Sequence, residues 1–308
     1  MNKGYAIGID VGGSHITSAV VDLDNNVVLT ETMSEKEVDT GAGAGDIIRS
    51  WAEAIGESMG RSPSPVKGIG MAMPGPFDYS SGISLIREQP KLRNLYGMNV
   101  NEALQTELGT TIPVRFMNDT SSFAIGEAFA GSGKGFRRMV AITLGTGFGS
   151  AFLENGIPVV ESEDVPELGY VYHLPFKEGI ADDYFSTRWF VGRYKELTGI
   201  RISGVKEIAD LADKDEVVKQ IFEEFGNSLG TFLSPWLKKF KAEALVSGGN
   251  ISRAWHLFGG SFDQALKDEN VSLVSFVSEL KEDAALLGSA QLLVEEYWNE
   301  MKDVVARM

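Results

Sequence analysis

Two glycine-rich turns, about half a chain apart, constrain the fold more than any other feature of the sequence. Residues 6–14 read AIGIDVGGS and residues 142–150 read ITLGTGFGS, so each turn follows a short β-branched run. Strand-like sequence comes after both turns, which predicts a β-hairpin used twice. Glycine at a hairpin tip leaves backbone N–H groups open to an anionic oxygen. Two such tips are suited to holding phosphates, although ordinary tight hairpins use glycine in the same way.

Asp10 lies at the mouth of the first turn. A carboxylate beside a phosphate is repulsive unless a cation lies between them, so Asp10 suggests Mg²⁺ carried in with a nucleotide. Neither turn matches GxxxxGK[ST], and no GxGxxG stands between a strand and a helix, so Walker-type and Rossmann sites are poor fits.

Composition excludes several classes of function. The chain has 308 residues with 43% hydrophobic content, which is enough for two soluble domains. Its formal charge of −15 argues against direct binding of nucleic acid. Cysteine is absent, so disulfides and thiolate metal sites are excluded, and with three histidines we do not expect a multi-histidine metal site. We expect a cytoplasmic chain without a membrane partner, because it has neither a leader-like apolar stretch nor a long apolar span.

The order of elements is the same in both halves: a glycine hairpin, a third strand, then helices and buried strands. This order is typical of a ribonuclease H-like domain, so we predict an α/β chain with two such domains. Periodicity predicts helices over 182–197, 204–213 and 215–239, with Pro235 bending or ending the third, and a final helix over 284–307. Pattern alone does not say which half the final helix packs on.

Four segments carry candidate chemistry. MPGPFD at 73–78 makes a rigid turn, which structure alone would explain, and the irregular polar segment 82–97 is a candidate substrate-side flap. Asp119 follows a predicted strand and precedes a helix. Capping that helix is the interpretation favoured by the local sequence, whereas an ionised carboxylate there is also suited to act as a general base. At Gly248 and Gly249 the backbone either allows a ligand to approach closely or makes a tight turn.

Four segments in this order resemble the ROK family of sugar kinases and sugar-responsive repressors, which has the actin-like ATPase fold. They are IGIDVGGSHITSAVVD at 7–22, MAMPGPFD at 71–78, MNDTSSFAIGEAFAG at 117–131 and ITLGTGFGS at 142–150. LVSGGNIS at 245–252 fits a fifth, adenosine-side motif. The resemblance implies two ribonuclease H-like domains flanking a cleft. We place the first at 1–118 with a C-terminal helix at about 288–308, and the second at 119–287.

The resemblance also implies ATP-dependent phosphorylation of a hexose or N-acetylhexosamine hydroxyl. Asp119 would be the catalytic base, Asn118 would bind a neighbouring hydroxyl, and Gly75 would lie in a sugar-contacting loop. Asp10 would orient Mg²⁺, through water. The other cofactor-binding residues would contact ATP. Its phosphates would lie against Gly12, Gly13, Gly145, Thr146 and Gly147. Its nucleoside would lie against Gly248 and Gly249.

The sequence departs from the family pattern in one region. Family members commonly carry an ExGH segment that binds sugar, followed by a cysteine-rich zinc loop. Here the segment reads Glu167-Leu168-Gly169-Tyr170 and every cysteine is missing, so no zinc is expected. Asp182 stands where a sugar-binding glutamate is usual. Glu167, Tyr170 and Asp182 are therefore the expected sugar-side residues.

These observations favour a zinc-independent sugar kinase that forms a homodimer, as the family resemblance implies. A sugar-binding sensor or regulator with weak or no kinase activity is the main alternative, since the region around Tyr170 is altered. A structural polymer subunit fits poorly, because the sugar-side residues would then have no role.

Overall fold

The computed structural model describes residues 4–88 and 91–308, so residues 89 and 90 of the segment 82–97 lie outside it. Contacts divide the chain into two compact units. Unit 1 comprises Met1–Lys134 and Glu282–Met308, and unit 2 comprises Gly135–Lys281. The predicted boundary at 118/119 differs from this division, because the helix that begins at Asp119 packs within unit 1.

Unit 1 begins with a mixed sheet in which the strands are ordered β3-β2-β1-β4-β7. Strand β1 pairs antiparallel with β2 and parallel with β4, and β4 pairs parallel with β7. A central strand covered on both faces is expected to be apolar throughout, and the buried core of β1 fits that rule. The elements are β1 (Tyr5–Val11), β2 (His15–Asp22), β3 (Val27–Glu37), α1 (Ala44–Gly60), β4 (Val66–Met73), β5 (Phe77–Asp78), β6 (Ile83–Ser84), α2 (Val100–Leu108), β7 (Val114–Asn118) and α3 (Asp119–Ala130).

Unit 2 repeats the arrangement with the strand order β10-β9-β8-β13-β14. Strands β8, β13 and β14 are parallel, and β9 returns antiparallel to β8 after the second glycine turn. The elements are β8 (Arg138–Leu144), β9 (Phe148–Glu154), β10 (Ile157–Pro158), β11 (Pro175–Phe176), β12 (Gly179–Ile180), α4 (Ala181–Tyr184), α5 (Thr187–Thr198), α6 (Val205–Ala209), α7 (Glu216–Phe240), β13 (Ala244–Gly248), α8 (Trp255–Asp268) and β14 (Val274–Val277).

The chain then returns to unit 1 as α9 (Asp283–Gln291) and α10 (Glu295–Val305). Helix α9 packs on β1, β4 and α3 at very short range, which glycine makes possible. A Cβ added at Gly8 or Gly70 would overlap the backbone of α9, and one added at Gly288 would overlap the carbonyl of Ser122 in α3. The Ser289 hydroxyl also accepts the N–H of Ile9, 3.2 Å away.

Three helix predictions differ from the structure. The span 182–197 is divided into α4 and α5 at Phe185 and Ser186, and the span 284–307 is divided into α9 and α10 before Glu295. The span 204–213 is helical only over Val205–Ala209, in α6, whereas α7 matches its predicted span of 215–239 and continues through Pro235 to Phe240. Over the described residues, no helix is long and apolar enough to cross a membrane.

Candidate active site

The candidate acidic residues of unit 1 lie at one edge of its sheet. Asp10 is near the end of β1, opposite Ala72 of β4, and Met73 of β4 lies opposite Asn118 at the end of β7. Since the carboxyl ends of parallel strands meet at the same edge, Asp10, the 73–76 turn and Asp119 are brought together within unit 1.

Asp10 is a partly buried carboxylate with acidic neighbours. Burial, together with the negative charges of Asp119 and Glu282, raises its pKa to about 7. An ionised Asp10 is thus unfavourable unless a cation is near it, which is the electrostatic condition under which a divalent ion is stabilised. The described residues contain no group of three histidine or acidic side chains arranged to hold a metal. A hard cation held by one carboxylate, water and substrate phosphates fits this donor set.

Asn118, and not Asp119, caps helix α3. The Asn118 side-chain oxygen accepts the N–H of Ser121 at 3.1 Å, and its amide nitrogen lies 3.5 Å from the Tyr79 hydroxyl. Asp119 is the first residue inside the helix. The capping role that local sequence favoured for Asp119 therefore belongs to its neighbour, since an N-cap must lie just outside the first helical turn.

The Asp119 carboxylate lies at the N-terminus of α3 and is partly buried. Burial raises its pKa, and hydrogen bonds from Thr120 and Asn118 oppose that rise. The Thr120 N–H donates to one Asp119 oxygen at 2.7 Å. These contacts fix the orientation of the carboxylate while its pKa is raised, a combination suited to accepting a proton.

The turn after β4 is held by Tyr79. Its hydroxyl donates to the Met73 carbonyl at 3.2 Å, and a Cβ added at Gly75 would lie 3.3 Å from the same hydroxyl. Tyr79 thereby connects the turn containing Gly75 to the side chain of Asn118.

The first glycine turn uses its two glycines differently. The N–H of Gly12 donates to the His15 carbonyl at 2.9 Å, which closes the hairpin. A Cβ at Gly12 would also lie 2.9 Å from the His15 ring. In the part of the chain that the structure describes, no acceptor is recorded for the N–H groups of Gly13 and Ser14. Gly13 and Ser14, more than Gly12, offer donors to an anion.

The second glycine turn is closed by a hydrogen bond of its own and is held in place by Thr187, at the start of α5. The Gly145 N–H donates to the Gly147 carbonyl at 3.0 Å. Thr187 then donates both its N–H, at 2.8 Å, and its hydroxyl, at 2.9 Å, to the Gly145 carbonyl. Thr146 occupies the tip, between the two glycines. Thr187 was not expected from the sequence, since a threonine at a helix start gives no signal that it reaches a turn 42 residues away.

Asp182 holds the other side of this turn. One of its oxygens accepts the N–H of Phe148 at 2.7 Å, and the other contacts the guanidinium of Arg188. A Cβ added at Gly147 would lie 3.2 Å from the same carboxylate. The Asp182 side chain is thus directed at the glycine turn.

The glycine pair after β13 approaches the same edge of the unit 2 sheet. Gly248 pairs with Thr143 of β8, and Gly249 has a φ of 85°. A Cβ at Gly249 would overlap the Leu144 carbonyl, one residue before the glycine turn. The left-handed backbone and the close approach both require glycine. The 248–249 and 145–147 segments are therefore neighbours in unit 2.

Glu167 and Tyr170 lie on a short 3-10 turn packed on β9. The Ser150 hydroxyl donates to the Gly169 carbonyl at 2.7 Å and accepts the N–H of Val171 at 3.0 Å, which fixes the segment. Glu167 is exposed, and the half-buried Tyr170 ring lies 6.2 Å from that of Tyr172.

The structure therefore groups the candidate residues by unit. Unit 1 gathers Asp10, Gly12, Gly13, Gly75, Asn118 and Asp119, and unit 2 gathers Gly145, Thr146, Gly147, Asp182, Gly248 and Gly249. Glu282, whose charge acts on Asp10, was not expected from the sequence. The only signal for Glu282 in the sequence was that it is an acidic residue just before a helix.

Comparison with solved structures shows which class of protein has this fold. A ROK family glucokinase from Streptomyces griseus, solved in complex with glucose and AMPPNP, is similar with a TM-score of 0.74 and 22% identity, over 94% of this chain and 99% of that one. The fold is thus that of the actin-like ATPases. The model of the ROK family matches residues 6–296, and the chain belongs to the ROK family.

Two curated relatives are also similar over most of the chain. A glucokinase from Thermotoga maritima is 27% identical over 96% of this chain and 99% of its own length. An N-acetyl-D-glucosamine kinase from Histophilus somni is 27% identical over 82% of this chain and 85% of its own length.

Proposed function

We propose that this chain, a sugar kinase of the ROK family, transfers a phosphoryl group from ATP to a hydroxyl of a hexose or N-acetylhexosamine, with Asp119 as the general base. The names of the relatives support the substrate class, because they are kinases of glucose and of N-acetylglucosamine. The single observation that carries the role of Asp119 is that Asn118 caps helix α3, which leaves the neighbouring carboxylate available for chemistry.

Asp119 accepts the proton of the sugar hydroxyl as that oxygen bonds to the γ-phosphorus of ATP and the bond from phosphorus to ADP breaks. Burial raises the pKa of Asp119, which makes its carboxylate a stronger base than an ordinary aspartate. The hydrogen bond from Thr120 N–H orients the carboxylate. Asn118 and the loop containing Gly75 bind the sugar, and the Tyr79 hydroxyl positions both.

ATP is held by backbone groups at the glycine turns. Gly12, Gly13, Gly145, Thr146 and Gly147 line the phosphates, and Gly248 and Gly249 lie against the nucleoside. Asp10 would orient Mg²⁺, and the ion would supply charge neutralisation for the phosphates. The N–H groups of Gly13 and Ser14, which have no acceptor among the described residues, and a carboxylate that a nearby cation would stabilise support this assignment.

The sugar-side residues of unit 2 have different roles. Glu167 and Tyr170 bind sugar hydroxyls in our proposal, and the exposure of Glu167 supports its availability. Asp182 was expected to bind sugar as well, but both of its oxygens already have partners, in Phe148 N–H and Arg188. We assign Asp182 to positioning the 145–147 turn.

An ATP-consumption assay tests the proposal across hexoses, N-acetylhexosamines and fructose, with Asp119→Asn as the inactive variant and Asp303→Asn as the matched control. General-base loss is expected to lower kcat about 10²- to 10⁴-fold. Asp303 is exposed on α10, so its variant should keep wild-type turnover.

A sugar that raises the melting temperature while no sugar supports turnover would refute the kinase and favour the sensor. We also propose that the chain forms a homodimer, which light scattering tests by measuring the molecular mass in solution.

A further inference from the structure

The side chain of Lys91 reaches the first glycine turn. A Cβ added at Gly13 would lie 2.5 Å from the Lys91 ammonium nitrogen and 3.0 Å from its Cδ. Because a Cα–Cβ bond adds about 1.5 Å, the ammonium nitrogen is within about 4 Å of the Gly13 backbone. Lys91 belongs to the irregular segment 82–97, whose role the glycine motifs did not explain.

The backbone around Lys91 is tied to the loop that follows β3. The N–H of Leu92 donates to the Thr40 carbonyl at 3.1 Å. The Asn94 amide donates to the carbonyls of Gly41, at 2.9 Å, and Ala42, at 2.7 Å. These three hydrogen bonds hold the segment beside the glycine turn, so the position of Lys91 depends on more than its own flexible side chain.

The same loop also contacts the turn directly, since the Thr40 hydroxyl lies 3.5 Å from the Gly13 carbonyl. Three segments of unit 1 therefore meet at Gly13: the hairpin tip, the loop after β3 and the start of the 91–97 segment.

Lys91 has no acidic partner in the described ranges 4–88 and 91–308, although the whole chain carries a formal charge of −15. Two other lysines have acidic partners: Lys36 lies 2.7 Å from Glu57, and Lys219 lies 2.6 Å from Glu216. The N–H groups of Gly13 and Ser14 also lack a recorded acceptor in these ranges. A cation and two adjacent donors at one turn form a cradle for an anion.

We propose that Lys91 is a phosphate-binding residue that contacts the polyphosphate of ATP from the 91–97 segment, an inference that rests on the proposed function. The ammonium neutralises phosphate charge at the Gly13 turn, where Asp10 would otherwise repel the nucleotide. A lysine suits this task because it is a compact point charge with three donors. Because the proposed contact is with the phosphates and not with the sugar, sugar affinity should not depend on Lys91.

Isothermal titration of wild type, Lys91→Met, Lys91→Arg and Lys302→Met with ATP, and separately with adenosine, tests the proposal. Lys302→Met is the matched control, because it removes the same charge from an exposed position on α10. Loss of one charge-assisted phosphate contact is expected to weaken ATP binding about tenfold in Lys91→Met. Lys91→Arg keeps the charge and should remain within about threefold of wild type, and adenosine affinity should not change in any variant.

Steady-state kinetics give a second readout. The KM for ATP rises in Lys91→Met, the KM for sugar stays at its wild-type value, and the salt dependence of ATP binding becomes shallower.

Equal ATP affinity in Lys91→Met and Lys302→Met would overturn the inference, as would an equal loss of adenosine affinity. If the wild type binds ATP in a Lys91-dependent manner but phosphorylates no sugar, the proposed function fails and Lys91 remains a phosphate ligand. If Asp119→Asn abolishes turnover while Lys91→Met changes nothing, the inference alone fails.

Discussion

Replacing Asp10 with asparagine is expected to stabilise the ligand-free protein, increasingly so as the pH rises. The folded-state pKa of Asp10 is about 7, against 3.8 for an ordinary aspartate. Below pH 3.8 both the folded and the unfolded chain carry the proton, and the carboxyl does not affect stability. As the pH rises from 3.8 to 7 the unfolded chain ionises more readily, so the folded state progressively loses stability, and above pH 7 the loss is complete.

The magnitude follows from the difference of about 3 pKa units, each worth about 1.4 kcal/mol, which gives a cost of about 4 kcal/mol above pH 7. At pH 5.5 the same relation gives about 2 kcal/mol. These are upper values, because Asp10 is only partly buried. The free energy of unfolding of Asp10→Asn should therefore gain about 2 kcal/mol relative to wild type between pH 5.5 and pH 8.0.

Urea unfolding of both proteins at pH 5.5 and 8.0, in EDTA so that no divalent ion offsets the charge, measures this difference. Asp303→Asn, on the exposed surface of α10, is the control and should show no pH-dependent gain. The reasoning is refuted if wild type and Asp10→Asn follow parallel pH profiles, or if wild type becomes relatively more stable at pH 8.0.

Three further substitutions test single contacts. Asn118→Ala removes the N-cap of α3 and should lower the free energy of unfolding by about 1 kcal/mol, measured by urea unfolding. Gly288→Ala forces a Cβ against the Ser122 carbonyl and should cost about 3 kcal/mol or prevent folding, as followed by circular dichroism. Asp182→Ala removes the acceptor of Phe148 N–H and should raise the KM for ATP about tenfold while leaving the KM for sugar nearly unchanged, measured by steady-state kinetics.

Each of these has its own check. Asn118→Asp keeps a capping oxygen and should retain most of the stability that Asn118→Ala loses. Gly56→Ala, at an exposed position of α1 with no atom within 4 Å of the added Cβ, should instead stabilise by about 0.5–1 kcal/mol. A larger change in the KM for sugar than for ATP in Asp182→Ala would contradict its assignment to the turn.

Local sequence was sufficient where one physical signal dominated. Strand β4 is predicted over its full span, Val66–Met73, because the run after SPSP is apolar except for Lys67 and has no competing interpretation. The buried face of α1, with Ile47, Trp51 and Ile55, follows from helical periodicity. The ROK family and its fold were likewise predicted correctly, since five motifs occur in order.

Periodicity did not reveal where long helices divide. Leu292, Leu293 and Val294 are all buried, so a helix and a break place the same apolar residues inside. Val294 nevertheless adopts an extended backbone with a ψ of 113° just before α10. The same limit applies to Phe185, which is buried at the division between α4 and α5.

Pro235 does not end α7. A proline inside a helix removes one hydrogen bond, which predicted a bend or an end. Helix α7 continues for another five residues and buries Leu237 and Phe240 there. Packing of this apolar stripe outweighs the lost hydrogen bond, and no local signal reports that balance.

Sequence patterns did not predict which of two adjacent residues has a given role in the candidate site, or which distant residues contact each other there. Asn118 and Asp119 are adjacent, and either could cap a helix, so only the backbone of α3 assigns the cap. The carboxylate of Asp182 reaches Phe148 across 34 positions of sequence, which no motif indicated.

The return of α9 to the first sheet has a consequence for the order in which the chain acquires its structure during synthesis. Unit 2 is one uninterrupted segment, Gly135–Lys281, whereas the sheet of unit 1 needs residues beyond 282 to cover Gly8 and Gly70. Unit 2 is thus able to fold before unit 1, although the ribosome makes it later. Until α9 is made, the N-terminal strands of unit 1 have an exposed apolar face. A protein that completes its first half last is most exposed to chaperones and proteases during that interval.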